Sequence, residues 1–135
     1  MANTQSSMII INFGHPFTEE QKEQLEMMIS QPIQEILDVN CRFDVAESLG
    51  EQVAECVEAV ALTSEEWRTE PVLISLPGFA PAAAALVAEL NGRMGYFPSL
   101  IRLRPVSGST PARYQVTEII NLQAIRNAAR GHRRP

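Results

Sequence analysis

The chain is poor in the residues that most often carry chemistry, with two cysteines, two histidines, one tryptophan and two tyrosines in 135 residues. Cys41 and Cys56 form no C-x-x-C pair. With only His15 and His132 beside them, they suggest neither a disulfide framework nor a Cys/His zinc site. Both are expected to be small, buried or half-buried thiols, and neither a metal nor a cofactor is expected. There is no G-x-G-x-x-G and no G-x-x-x-x-G-K-[ST], so a dinucleotide enzyme and a P-loop NTPase both lack support. Neither a Ser/His/Asp array nor a paired-carboxylate signature can be read from spacing. Every apolar run is far shorter than the roughly 20 residues of a membrane helix, and the polar start from Met1 to Ser7 is unlike a signal peptide. A cytoplasmic protein with no membrane partner is expected.

A chain of this length suits one domain, and a hydrophobic content of 45% with 20% charged residues is ordinary for a globular protein. The net charge of -5 conceals an uneven distribution. Residues 1–90 hold Lys22, Arg42 and Arg68 against fifteen acids, while residues 91–135 hold eight arginines against Glu118 alone, which gives about -12 and +7. Guanidinium groups with so little carboxylate nearby suit phosphate, because each offers a planar fork of donors. Arg126, Arg130, Arg133 and Arg134 could instead complete the dipole of a solvated helix end, or neutralise the acidic part of the same molecule or of a partner subunit. Duplex DNA is not an expected partner, since the total charge is negative and no helix-turn-helix or zinc-finger spacing occurs.

Two stretches share a plan. Met8 to Asn12 runs into Phe13-Gly14-His15-Pro16 and a helix, and Val72 to Leu76 runs into Pro77-Gly78-Phe79 and another. An apolar strand that breaks at a glycine and re-enters as a helix is how doubly wound α/β domains build ligand crevices beyond the carboxyl ends of their strands. Thr18 and Gln21 form a capping box for a helix to about Ser30, with Leu25, Met28 and Ile29 inward. Ile33 to Phe43 is expected as a second strand, and Val53, Cys56, Val57, Val60 and Ala61 mark the inner face of a second helix. Thr63 to Trp67 is a capped short turn, with Trp67 as a lid on the core or a ligand platform. Pro81 opens a helix to Met94 carrying Leu86, Val87, Leu90 and Met94 on one face, ended by Gly92 and Gly95. Strands follow at 100–106 and 114–120, and Asn121 caps a last helix through Ala129. The order predicts one domain over residues 1–135, an α/β Rossmann-like three-layer α/β/α sandwich, with a mostly parallel sheet and an antiparallel C-terminal edge.

Several residues could carry chemistry. Asn12 can read a base or ribose edge, Gly14 lets a ligand approach the backbone, and His15 can donate to a phosphate or move a proton, or be a loop histidine bonded to a carbonyl. The Pro77-Gly78-Phe79 corner offers free N–H groups at a helix start, and Phe79 could stack on a base or plug the end of the sheet. Arg102 and Arg104 alternate onto one face of a strand, where they are either solvated at an edge or line a charged groove or subunit contact. His132 falls in a tail expected to fray, which leaves His15 as the candidate proton-transfer residue.

The segments Ile9-Ile10-Ile11-Asn12-Phe13-Gly14-His15-Pro16, Glu65-Glu66-Trp67, Leu76-Pro77-Gly78, Ala88-Glu89-Leu90-Asn91-Gly92-Arg93-Met94-Gly95-Tyr96-Phe97-Pro98 and Ile101-Arg102-Leu103-Arg104-Pro105 together resemble the CRISPR-associated Csx family numbered fifteen. The likeness spans nearly the whole chain, to Asn121-Leu122-Gln123-Ala124-Ile125-Arg126. The resemblance implies a Rossmann-like accessory protein of type III CRISPR systems, similar to CARF domains and ring nucleases that handle cyclic oligoadenylates. It implies a homodimer that binds such a ring, cyclic tetra-adenylate being the one expected, and that damps the signal by sequestration or by slow, metal-independent cleavage. No catalytic set transfers by motif match. The expected ligand-binding residues are Asn12, Phe13, Gly14, His15, Pro77, Gly78, Phe79, Arg102 and Arg104, with His15 the catalytic candidate. The rival expectation is a protein-interaction module of a type III system that binds no nucleotide and docks through its arginine-rich C-terminal part.

Overall fold

In the computed structural model, which describes residues 7–134, the elements follow the order β1 (Met8–Asn12), α1 (Glu19–Met28), β2 (Ile33–Asp38), α2 (Leu49–Glu58), α3 (Ser64–Thr69), β3 (Val72–Ser75), α4 (Ala80–Met94), β4 (Ser99–Pro105), β5 (Tyr114–Asn121) and α5 (Leu122–Gly131). The five strands form one sheet in the order β2-β1-β3-β4-β5, parallel throughout except for the antiparallel pair β4 and β5. This is the expected α/β Rossmann-like architecture with its antiparallel edge.

The apolar runs of β1 and β3 are continuous because both faces of these strands are covered. Ile9, Ile11, Val72 and Ile74 point to one face, where Val53 and Val57 of α2, Trp67 of α3 and Leu86, Leu90 and Met94 of α4 close a core. Ile10 and Leu73 point to the other, where they meet Phe17, Leu25 of α1, Ile101 and Val116. Trp67 is 2% exposed and is therefore the lid on the core. Burying a side chain of this class from water contributes roughly 1.5–3 kcal/mol, so these two clusters dominate the stability of the fold.

The local signals for α1 and α3 hold in detail. The Thr18 hydroxyl accepts the Gln21 N–H at 3.1 Å, and the Gln21 side chain accepts the Thr18 N–H at 3.0 Å. Thr63 and Glu66 repeat the reciprocal pair.

Several expectations are corrected. β2 ends at Asp38 rather than Phe43, because its partner β1 ends opposite it at Asn12 and nothing remains to pair with. Met28 is exposed at 40%, and Gln21 takes the inward position beside Leu25. On α4, Ala82 is buried and Val87 only half-buried. Gly92 lies inside α4, which is ended by Gly95 alone, since that residue holds the left-handed conformation with φ of 83°. Cys41 and Cys56 are not free thiols. Their Cα atoms are 6.0 Å apart and their sulfurs are bonded, tying the loop after β2 to α2. Without a C-x-x-C spacing, the pairing could be seen only once the chain was folded.

Candidate functional site

β1 and β3 are neighbours, yet the helices that follow them leave to opposite faces, α1 to the Ile10 side and α4 to the Ile11 side. Such a divergence opens a crevice at the carboxyl ends of the two strands. The loops that border it are held close together. The Phe13 N–H donates to the Ser75 carbonyl at 2.9 Å, and a Cβ on Gly14 would stand 2.9 Å from the Leu76 carbonyl oxygen. The third strand end, from β4, turns back as a hairpin, so residues 106–113 reach the same end of the sheet.

Between the Gly14 corner, the start of α1 and this hairpin lies a cleft of about 570 Å³, a size within the roughly 300–1,000 Å³ of small-molecule sites. Its floor is Ser75, Leu76 and Leu103, and its walls are Gly14, His15, Pro16, Thr18 and Gln21 on one side and Ala112, Arg113 and Tyr114 on the other. Across the Gly14–Pro16 ridge a second groove of about 320 Å³ is lined by Phe13, Cys41, Phe43, Pro77 and Phe79. Gly14, His15, Pro16 and Gly78 border both.

The hairpin wall is fixed by polar contacts to α1. Gln21 donates to the Tyr114 carbonyl at 2.9 Å, and the Val116 N–H donates to Gln24 at 2.8 Å. The Arg113 N–H donates to the Ser109 hydroxyl at 2.9 Å, and its carbonyl accepts the Val106 N–H at 2.7 Å. The backbone at Arg113 is therefore set, while its guanidinium is exposed and makes no ion pair among the described residues. Glu20, also exposed, is the one carboxylate among the cleft's lining residues.

The sequence-derived candidates separate into three groups. His15, Gly14, Pro77, Gly78 and Phe79 stand at the crevice, with Phe79 39% exposed. Asn12 and Phe13 are inside the protein. Asn12 accepts the Gly14 N–H at 2.9 Å and donates to the His15 carbonyl at 2.7 Å and to Asp38 at 3.1 Å. Its amide is spent on shaping the corner, and Phe13 packs into the core, so neither is free to read a base. Arg102 and Arg104 are brought to neither cleft. Arg102 pairs with Glu118 on β5 at 2.7 Å, and Arg104 borders a groove between α1 and β5.

The His15 imidazole is exposed and has no hydrogen-bond partner among the described residues. A general base needs an orienting group to hold its tautomer and direction, and the corner supplies none. Arg113, Tyr114, Ser75 and Gln21 are the cleft residues that reading by motif missed. The available signal was topological, because an antiparallel final hairpin must place its turn at the same sheet end as the two glycine corners. Among the described residues no three His, Cys, Asp or Glu side chains converge as a metal-binding group, and no helix is long and apolar enough to cross a membrane. Compared with family models, curated proteins and solved structures, the chain has no match.

Proposed function

We propose that this protein binds a cyclic oligoadenylate, with cyclic tetra-adenylate the ring expected, and so damps type III CRISPR signalling in the cytoplasm. The carrying observation is the pairing in one cleft of an uncommitted guanidinium and an aromatic ring, Arg113 and Tyr114, with the open backbone of Gly78, around whose Cβ position nothing lies within 4 Å. A nucleotide asks for that set: a cation and N–H groups for phosphate, a ring for base stacking, and close approach to the main chain. The resemblance to the Csx family numbered fifteen supports the same ligand. One cleft of this size suits part of a ring of four adenylates, so the reading includes a homodimer presenting two clefts to one symmetric ligand.

Sequestration is favoured over cleavage. Opening the ring without a metal requires in-line attack by a ribose 2′-hydroxyl on its phosphorus, with a positioned proton acceptor, and His15 is unsupported in that role. The test mixes purified protein with labelled cyclic tetra-adenylate in the absence of metal and follows retention on a native gel and product by chromatography. Stoichiometric retention of intact ring at micromolar protein is expected. Linear product over many turnovers would make the protein a ring nuclease, and no retention would remove the nucleotide reading. The second reading, an interaction module that binds no nucleotide, draws on the arginine-bearing α5, none of whose residues is buried. It predicts that removing residues 127–135 abolishes partner capture.

A further inference from the structure

α5 is the one element of the described residues that packs on almost nothing. None of its ten residues is buried, although its sequence is strongly amphipathic. At helical spacing Leu122, Ile125, Ala128 and Ala129 form an apolar stripe, flanked by Arg126 and Arg130. Ile125 is 56% exposed. An apolar stripe left in water gains by being covered, and within its own chain only Leu122 is half-buried while Ile125, Ala128 and Ala129 are exposed.

A complementary surface lies elsewhere on the same molecule. Between α1 and β5 runs a groove of about 570 Å³, lined by Gln24, Met27, Met28, Gln115, Val116 and Arg104. Met27 is 89% exposed, and methionine adapts to irregular partners. The outer surface of α1 beside it carries Glu19, Glu23 and Glu26, all exposed, with only Lys22 in opposition through its 3.4 Å pair to Glu19. The edge of β5 is closed to strand addition along Tyr114–Val116, because Gln21 and Gln24 already occupy its carbonyl and N–H groups. Along that stretch, beside the groove, the edge is free to take a helix but not a strand.

We infer that α5 of one copy seats its apolar stripe in the Met27–Met28 groove of a second copy, which returns its own α5 in the same way. The charges match in that arrangement: Arg126 and Arg130 fall against the α1 glutamates, while the apolar stripe rather than an arginine faces Arg104. The asymmetry of -12 and +7 along the chain becomes complementarity between copies. A reciprocal exchange is isologous and closes at two subunits. The groove shares none of its lining residues with the cleft of Arg113, so this contact does not rest on what that cleft binds.

The test uses the full chain and two exposed substitutions, Ile125→Asp and Met27→Asp, with circular dichroism confirming that each variant keeps its helix content. Light scattering after size exclusion should give wild type at twice the 15.0 kDa subunit mass. Each variant alone should dissociate at concentrations roughly a hundredfold higher than wild type. An equimolar mixture should regain a dimer, because an intact α5 from the Met27→Asp chain meets an intact groove on the Ile125→Asp chain. Monomeric wild type, a variant that stays dimeric at wild-type concentrations, or a mixture that remains monomeric would each overturn the exchange, and a Met27→Asp variant that alone stays dimeric would point to α5 packing on α5.

Discussion

The carbonyl oxygen of Leu76 occupies the space that a side chain on Gly14 would need, 2.9 Å from the position of its Cβ. The two strand-to-helix corners touch there, backbone against backbone, so the glycine serves contact between loops rather than ligand approach. Gly14→Ala should push the β1 and β3 corners apart and lower stability by about 1–3 kcal/mol, as overpacking of a tight contact does. Gly78→Ala is the control, since nothing lies within 4 Å of its Cβ position. Denaturant midpoints of the two variants measure the difference.

Asn12 makes the same corner from beneath. Fully buried, it satisfies Gly14, His15 and Asp38 through one amide. Asn12→Ala takes the partner from the half-buried Gly14 N–H and from the His15 carbonyl, while the exposed Asp38 turns to water, so stability should fall by about 1–3 kcal/mol. Asn12→Asp keeps the volume but removes the donor and sets a carboxylate against Asp38. Chemical denaturation should therefore rank both variants well below wild type, with no gain from keeping the shape alone.

Arg113 and Arg102 are separated by function although both sit on one hairpin. Arg113→Ala removes the cation of the cleft and should weaken binding of labelled cyclic tetra-adenylate by about 1.5–3 kcal/mol, or roughly 10- to 150-fold. Arg102→Ala breaks an exposed pair with Glu118 and should leave binding within about twofold while costing less than about 1 kcal/mol of stability. Equal loss in both would move the site away from the cleft.

The contrast between these arginines shows where reading the sequence reaches its limit. The capping boxes, the buried run of β3 and the lid role of Trp67 depend on neighbours within a few residues or on simple periodicity, and they could be read from the chain. The two glycine corners were legible as a pair for the same reason. Arg113 was not: the antiparallel edge was expected, but no local signal says that the turn before β5 walls the cleft at the Gly14 corner, a relation between segments. Arg102 looked like a ligand residue because alternation gives a face, not what covers it; the covering group is Glu118, sixteen residues on. Cys41 and Cys56 were hidden likewise, since a pair fifteen residues apart has no local signature.

Arg93 locks α4 to α2. Its guanidinium donates to Glu58 at 2.7 Å and to Glu89 at 2.9 Å, and these bonds, that to Glu58 first, raise its already high pKa. A basic group with a raised pKa contributes stability that is complete below its unfolded value and is lost only as pH rises through the folded one. That window lies far into the alkaline range, so the contribution from Arg93 should be flat with pH around neutrality. Arg93→Met should lower stability by about 1 kcal/mol, with a deficit that shrinks at high salt because Glu58 is exposed. Denaturation at two salt concentrations and two pH values near neutrality measures both.

Cys41 belongs to the loop that walls the smaller groove, and its bond to Cys56 anchors that loop to α2. A bridge across a separation of fifteen residues removes loop freedom from the unfolded chain and contributes about 3 kcal/mol on the chain-entropy account. Cys41→Ser/Cys56→Ser, or wild type with reductant, should lose about 2–3 kcal/mol in denaturant unfolding, with no further loss when the double variant is reduced. Amide exchange should quicken in the loop of Val39, Asn40, Cys41 and Phe43, which borders this groove, while β3, buried between both cores, quickens only by as much as the global stability falls. The larger cleft lies across the Gly14–Pro16 ridge and does not include this loop, so binding at Arg113 should survive reduction. Loss of nucleotide binding on reduction would place the ligand on the Phe13 and Phe79 side of the ridge instead.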